Sequence, residues 1–458
     1  MASRLGEHAV VIGGSIAGLV SARVLGDYFD RVTILERDHI EPHPAVHRST
    51  PQGNHLHTVL IGGLRVLSDL YPGFGEKLQG MGAVPLRLSR DLPIYRPDGV
   101  AFSLTGAVRE PRDLGIEIYS QSRGLLEHCL RQCTLELPNV RSECDAAVER
   151  LIENHSRVDG VFYRLDGEPR SVHCELVLDC GGRGSHAPRW LKEMGFSAPE
   201  ETIIGVDFAY SSTRFRIPDD GTTNERFALF GGPPPEFTRG GALARIEDDL
   251  WLVSLAGRFR DYPPKDEAGF MAFAAALPTP GLYQRIRNAE RVDSISHFRF
   301  PTSVLRHYER LPSFPERFLV LGDAISSFNP VYGQGMSSAA LQARALGAVL
   351  QQRTCSPLGL DGIAADFFPK AADVISTPWT LAANFDFAFP QTTGTRSPMP
   401  SEILRYFLTL DALTAEDIAI HKVMVEVFGL ARPLSSLWDE PVRSRVLARM
   451  GESQKSDA

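Results

Sequence analysis

Residues 8–37, HAVVIGGSIAGLVSARVLGDYFDRVTILER, constrain the fold of this 458-residue chain more than any other stretch. The apolar run 9–12 reads as a buried strand. A glycine-rich turn follows, Gly13-Gly14-Ser15-Ile16-Ala17-Gly18, and then a helical run with apolar or small residues at Leu19, Val20, Ala22, Val24 and Leu25. A second strand, 31–35, ends at Glu36. This is the strand–turn–helix–strand unit of a dinucleotide site, with an acid at the end of its second strand. Gly13 permits the tight turn, and Gly18 lets the helix lie close to the strand. The helix N-terminus offers N–H groups and a positive dipole end to a pyrophosphate. Glu36 accepts from ribose hydroxyls. The second glycine of the usual GxGxxG pattern is Ser15 here, whose small hydroxyl is expected to donate to a phosphate oxygen.

The chain is too long for one ordinary core, so two associated domains or a large α/β body with an inserted sheet are expected. Net charge is −8, from 48 basic and 56 acidic residues, with no Lys/Arg block, which argues against a nucleic-acid partner. The six cysteines show no CxxC spacing, so reduced thiols in a cytoplasm are expected rather than disulfides or a metal site. The first strand begins almost at residue 1, leaving no room for a signal peptide, and no apolar run has the length of a membrane helix.

Beyond Glu36, a polar loop at 38–54 carries His and Arg residues that are candidates to face a cofactor. Helices are expected at 58–70 and 121–135, the second with an apolar face of Leu125, Leu126, Cys129, Leu130 and Cys133. Arg123 stands in its first turn, where a cation opposes the helix dipole and is suited to an anion. A further strand ends in Asp179-Cys180-Gly181-Gly182-Arg183-Gly184-Ser185. Residues 203–300 read as short strands with turns between them. Phe208, Tyr210, Phe215, Phe227, Phe230, Phe237 and Trp251 there are candidates both for sheet core and for the wall of an apolar pocket. At 318–349, FLVLGDAISSFNPVYGQGMSSAALQARALGAV, a strand runs into Asp323, a loop with Pro330, Gly333 and Gly335, and a helix from about Met336.

These residues resemble the group A FAD-dependent monooxygenases, the para-hydroxybenzoate hydroxylase-like enzymes. Three blocks carry the match: VVIGGSIAGL…ILER, LVLDCGGRGS and FLVLGDAISSFNPVYGQGM. The phrases TPQGNHLHTVLIGG, GRGSHAPRWL and NPVYGQGMSSAAL look closest to a bacterial subgroup of polyether epoxidases and natural-product tailoring enzymes. The resemblance implies an α/β fold: a Rossmann-like FAD-binding domain (1–82, 119–200 and 301–355), an inserted mixed or antiparallel β-sheet substrate domain (83–118 and 201–300), and a mostly helical C-terminal region (356–458).

It also implies roles. Gly13, Gly14, Ser15, Ile16, Ala17 and Gly18 would hold the FAD pyrophosphate, and Glu36 the adenosine ribose. Arg37, Arg48 and Arg123 would lie along the adenosine–phosphate part. Asp323 would serve the ribityl chain, and Pro330, Gly333, Gly335 and Met336 would border the isoalloxazine. The family's middle motif places an aspartate where this chain has Gly181; Asp179 is the candidate substitute. The implied reaction inserts one oxygen atom from O2 into an apolar polyketide- or terpenoid-like intermediate, by epoxidation or hydroxylation through a flavin C4a-hydroperoxide. Electrons come from NAD(P)H or from reduced flavin supplied by a partner reductase. No catalytic residue is assigned; His55, His57 and Tyr332 fall near the flavin region by motif position. The alternative is a non-redox cyclase, such as one catalysing a [4+2] cycloaddition of a polyene, with FAD shaping the pocket. A flavin halogenase is a weaker reading, because no GWxWxIP-type motif is present.

Overall fold

The strand Gly6–Ile12 lies at the centre of a five-stranded parallel sheet. Its order is Phe318–Val320, Leu176–Asp179, Gly6–Ile12, Phe29–Leu35 and Val140–Glu143. The computed structural model describes residues 4–103, 108–218, 225–396 and 400–456. Ala9, Val10 and Val11 are fully buried. Both faces of a parallel sheet are covered, which is why the strand reads as a continuous apolar run. The helices Ile16–Leu25 and Gly335–Arg353 pack against each other beside it. A separate antiparallel sheet, Ala146–Asn154, Arg157–Leu165 and Glu168–His173, adds Val158 and Val161 to the same core.

The second large unit is a nine-stranded mixed sheet. Its longest strand, Glu201–Arg216, pairs antiparallel with Ser296–Arg306 on one side and Trp251–Arg258 on the other. Among the described residues, only Phe227–Phe230 and Ile94–Arg96 run parallel within it. The register of the long strand shifts between Gly205 and Phe208, after which side chains alternate regularly. Phe208, Tyr210 and Ser212 share one face with their cross-strand partners Arg258, Ala256 and Ser254. Phe215, Phe230, Leu243, Val253 and Leu255 occupy the other, under the helices Glu267–Ala275 and Gly281–Ile286. The aromatic residues considered together in the sequence therefore divide by the period of the strand. Phe227 joins a third cluster with Leu86, Ile116 and Ile118, because residues 84–87 and 117–120 pair with each other outside the large sheet.

The helix expected at 58–70 begins at Ile61 and ends at Leu70. The one expected at 121–135 begins at Arg123, because Ser122 caps it: its Oγ accepts from Leu125 N at 3.1 Å. Near the C-terminus, the 24-residue helix Ile363–Asp386 packs along Gly335–Arg353. Among the described residues, no helix is long and apolar enough to cross a membrane.

Candidate cofactor and substrate site

The glycine turn is built for close approach. Gly13 has φ +94°, and a Cβ there would lie 2.7 Å from the Cys180 carbonyl oxygen. A Cβ on Gly18 would fall 1.8 Å from the Gly13 carbonyl oxygen. Both positions thus require glycine, one for its backbone angle and one for space. The helix Ile16–Leu25 starts with no acid in its first turn and no side-chain cap, so its leading N–H groups are free to meet a ligand. Gly14 N donates to Glu36 Oε2 at 2.7 Å, and Asp38 N to Glu36 Oε1 at 2.9 Å. The acid expected to meet a ribose therefore also clamps the turn, and each oxygen keeps further acceptor capacity.

Ser15 departs from the sequence expectation. Its hydroxyl donates to Glu127 Oε2 at 2.9 Å and accepts from Arg123 Nη2 at 2.8 Å. The hydrogen expected to serve a phosphate is committed within the protein, because a buried carboxylate lies beside it. Glu127 is the centre of this network. It also receives Arg123 Nε at 3.1 Å and His47 Nε2 at 2.7 Å, with Arg131 Nη2 at 3.4 Å. His47 Nδ1 lies 3.1 Å from Asp38 Oδ2. Burial pushes the Glu127 carboxyl up, but the His47 hydrogen bond and the charges of Arg123, His47 and Arg131 outweigh it and hold it down to about 2. Burial likewise opposes charge on His47, and Glu127 overcomes it and raises the imidazole above its ordinary value. Sequence reasoning singled out Arg123 and missed Glu127 and Arg131. The signal was their spacing of four on one helix, which puts all three on one stripe.

A cavity of about 500 Å³ opens beside this network, lined by Arg37, Val46, His47, Arg48, Glu127 and Arg131 among others. Arg37 and Arg48 are exposed, and neither guanidinium has a hydrogen-bond or ion-pair partner among the described residues. Glu36, Asp38 and His47 bring three potential metal-ligating atoms within 4.8 Å of one another. Both His47 nitrogens and both Glu36 oxygens are already hydrogen-bonded, so the cluster is accounted for as an internal network.

The block at 318–349 brings a second set of the candidate residues together. Asp323 stands in the turn Gly322–Ala324 that follows the strand Phe318–Val320. Its carboxylate has no hydrogen-bond partner among the described residues; burial raises its pKa, and Arg123 and Arg183 are the charges that oppose this. The loop after Pro330 turns at Gly333 (φ +65°) and enters the helix Gly335–Arg353, which has no acid in its first turn. Gln334, 3% exposed, leaves its Oε1 unpaired among the described residues. Asp179 takes up the turn expected to carry the missing aspartate. It is buried and accepts from Gly181 N at 2.7 Å and Ser185 Oγ at 2.6 Å. It therefore braces the turn from inside.

The loop 329–333 is tied to the large sheet. Asp386 Oδ1 accepts from Asn329 Nδ2 at 2.8 Å, from the Tyr332 hydroxyl at 2.7 Å and from Arg258 Nη1 at 2.9 Å. Arg258 Nη2 reaches the Tyr332 oxygen at 3.2 Å. On the other flank, residues 55–60 run from the sheet to the first turn of the helix that follows this loop. Leu56 N donates to Ser254 Oγ at 3.3 Å, and Leu60 N to Ser337 Oγ at 2.9 Å. Between these ties lies the sheet face of Phe208, Tyr210, Ala256, Phe298 and Phe300, against which Trp379, Ala383 and Phe387 also pack. Of the residues near the flavin region by motif position, Tyr332 joins the loop-to-sheet bridge and His55 lies on the sheet. His57 turns back, its Nδ1 on the His55 carbonyl oxygen at 2.9 Å, and it bridges Gln121.

Together, the cradle at Gly13 and Gly18, the unpartnered Arg37 and Arg48, the unpaired Asp323 carboxylate and the open helix N-termini fit a long anionic ligand with sugar hydroxyls, as FAD is.

No family model matches the chain. It is 32% identical over 410 residues to Protein Rv3254 of Mycobacterium tuberculosis, covering 87% of this chain and 84% of that protein. It is 24% identical over 335 residues to the mitochondrial Squalene epoxidase 2 of Arabidopsis thaliana, covering 73% of this chain and 52% of that protein. The chain thus spans about half the length of that relative. It is 26% identical over 349 residues to Kynurenine 3-monooxygenase of Salinispora tropica, covering 74% and 71%. Among solved structures, the flavin-dependent brominase Bmp2 matches with a TM-score of 0.66 at 14% identity, over 98% of this chain and 100% of that one. The p-nitrophenol 4-monooxygenase PnpA of Pseudomonas putida matches with a TM-score of 0.62 at 16% identity, over 94% and 100%. At such identities the structural match is one of fold.

Proposed function

This chain belongs to the group A FAD-dependent monooxygenases, and we propose that it epoxidises or hydroxylates an apolar polyketide- or terpenoid-like natural-product intermediate. What carries the reading is the bridge of Tyr332, Arg258 and Asp386, which ties the cofactor loop to a sheet face of aromatic and small residues. The squalene epoxidases among its relatives, whose substrate by name is an apolar polyene, favour the same substrate class.

In this reading Gly13, Gly14, Ser15, Ile16, Ala17 and Gly18 hold the FAD pyrophosphate through backbone N–H groups. Glu36 takes the adenosine ribose, and Arg37, Arg48 and Arg123 flank the adenosine–phosphate part. Arg123 is kept in position by Ser15 and Glu127. Asp323 accepts from the ribityl hydroxyls. Pro330, Gly333, Gly335 and Met336 border the ring, where the helix N-terminus favours negative charge.

Bound FAD, once reduced, supplies the activation of O2. The chain's own contribution is placement and exclusion of water. Phe208, Tyr210, Phe298 and Phe300 form an apolar wall against which an alkene lies, and epoxidation of an alkene needs no protein base. Electrons come from NAD(P)H, directly or through reduced flavin from a partner reductase. Anaerobic titration of the yellow protein with NADPH and then NADH tests this. Loss of the oxidised flavin band is expected with one of them or with a flavin reductase added. Tightly bound FAD that no such donor reduces would contradict the reading.

A further inference from the structure

His55 is 2% exposed, yet its Nε2 has no hydrogen-bond partner among the described residues. Its other nitrogen, Nδ1, lies 2.7 Å from Ser212 Oγ, and Ser212 Oγ lies 2.6 Å from Ser254 Oγ. Ser254 Oγ in turn accepts from Leu56 N at 3.3 Å. A backbone N–H can only donate, so the chain has a fixed end. The arrangement that uses every hydroxyl hydrogen then runs one way: Ser254 donates to Ser212, Ser212 donates to Nδ1, and the ring proton sits on Nε2. The tautomer is assigned from these partners. Burial, with His57 and His297 adding to it, pushes the ring pKa down to about 3, so the imidazole stays neutral. Because the chain ends on an amide N–H, it has no outlet for a proton. His55 is therefore a fixed donor, and a poor general base.

A second donor stands next to it. Tyr210 meets the His55 ring edge-on, with centroids 4.1 Å apart. Its hydroxyl has no partner among the described residues, and burial raises its pKa, keeping it protonated. Tyr210 and Ser212 lie two apart on one strand and so share a face, with Phe208, Phe298 and Ala256 around them. This face is the one bridged to the cofactor loop by Arg258 and Tyr332. Leaving a buried donor unpaired costs about 1–3 kcal/mol. For His55 Nε2, on a face whose other polar groups (Ser212, Ser254 and Arg258) are already hydrogen-bonded, a ligand that brings an acceptor recovers that cost.

We propose that His55 Nε2 and the Tyr210 hydroxyl together hold one oxygen of the substrate, a ketone, ester or other neutral acceptor, and so fix which part of an apolar chain faces the flavin. The ligand is thus a polyene that carries a carbonyl, which rests on the monooxygenase reading for its being the substrate.

The test uses the FAD-loaded protein and two probes, geranylacetone and the hydrocarbon in which its carbonyl oxygen is replaced by methylene. Binding is followed by the change in the flavin absorbance band. The wild type is expected to bind the ketone about tenfold more tightly. His55→Phe is expected to bind the two equally while keeping its FAD and its affinity for the hydrocarbon. Tyr210→Phe, which keeps the ring, is expected to lose about threefold of the preference, and it decides the matter should His55→Phe fail to retain FAD. Equal binding by the wild type, binding of neither probe, or a preference that survives in the variants overturns the assignment. Equal binding would leave oxygen insertion untouched, since the reduction experiment above uses neither probe.

Discussion

Arg258 and Asp386 lie 128 positions apart in the chain and 2.9 Å apart in space, with side chains 7% and 1% exposed. One comes from the nine-stranded sheet and the other from the last turn of the helix Ile363–Asp386. The loop 329–333 hangs from the same oxygen through Asn329 and Tyr332. A buried pair of this kind adds little net stability against an apolar replacement, but removing one partner strands a charge.

Asp386→Ala is accordingly expected to destabilise the FAD-loaded protein by about 3–5 kcal/mol. Tyr332→Phe, which removes the hydrogen bond to Asp386 and the weaker one from Arg258 but strands no charge, should cost about 2 kcal/mol. Urea unfolding followed by flavin fluorescence reads both. Equal small effects would mean that the bridge does not hold the loop.

Glu127 sets an acid limit. Its folded pKa, about 2, lies below the ordinary glutamate value of about 4.3. Its stabilising contribution is therefore complete above that ordinary value and is lost as pH falls towards 2, by an amount on the order of 3 kcal/mol. Glu127→Gln should be less stable than the wild type at neutral pH and lose less stability between about pH 5 and 3. Parallel pH profiles for the two proteins would contradict the network.

Gly18→Ala places a methyl group 1.8 Å from the Gly13 carbonyl oxygen, which is backbone and cannot swing aside. The strand–helix contact must open, and the variant is expected to purify with little or no flavin. The ratio of flavin to protein absorbance measures this.

Gly181→Asp would restore the residue that the family's middle motif usually carries. A Cβ there lies 2.8 Å from Asp179 Oδ1, and that carboxylate is already held by Gly181 N and Ser185 Oγ. The restored acid should lower the thermal midpoint and bring no faster reduction by NADPH. A faster reduction at unchanged stability would show that Asp179 had not taken over the turn.

What was legible in the sequence is what lies close together along it. Gly13, Gly18 and Glu36 fall within one strand–helix–strand unit, and Asp323 and Gly333 within another, so local pattern carried both. Glu127 was within reach through its spacing from Arg123 and Arg131. Asp386 was not, because its partners Asn329 and Arg258 meet it only once the helix Ile363–Asp386 packs against the sheet. The sorting of the aromatics was hidden for another reason. The register shift between Gly205 and Phe208 resets which residues of the long strand share a face, and no side-chain pattern announces it.

The most direct test is isotopic. The FAD-loaded protein is supplied with NADPH, a flavin reductase and geranylacetone under O2 labelled with the heavy isotope, and the products are weighed by mass spectrometry. A product carrying one heavy oxygen atom is the expected result. A cyclised isomer without added oxygen, or a product whose new oxygen comes from water, would contradict oxygen insertion by this chain.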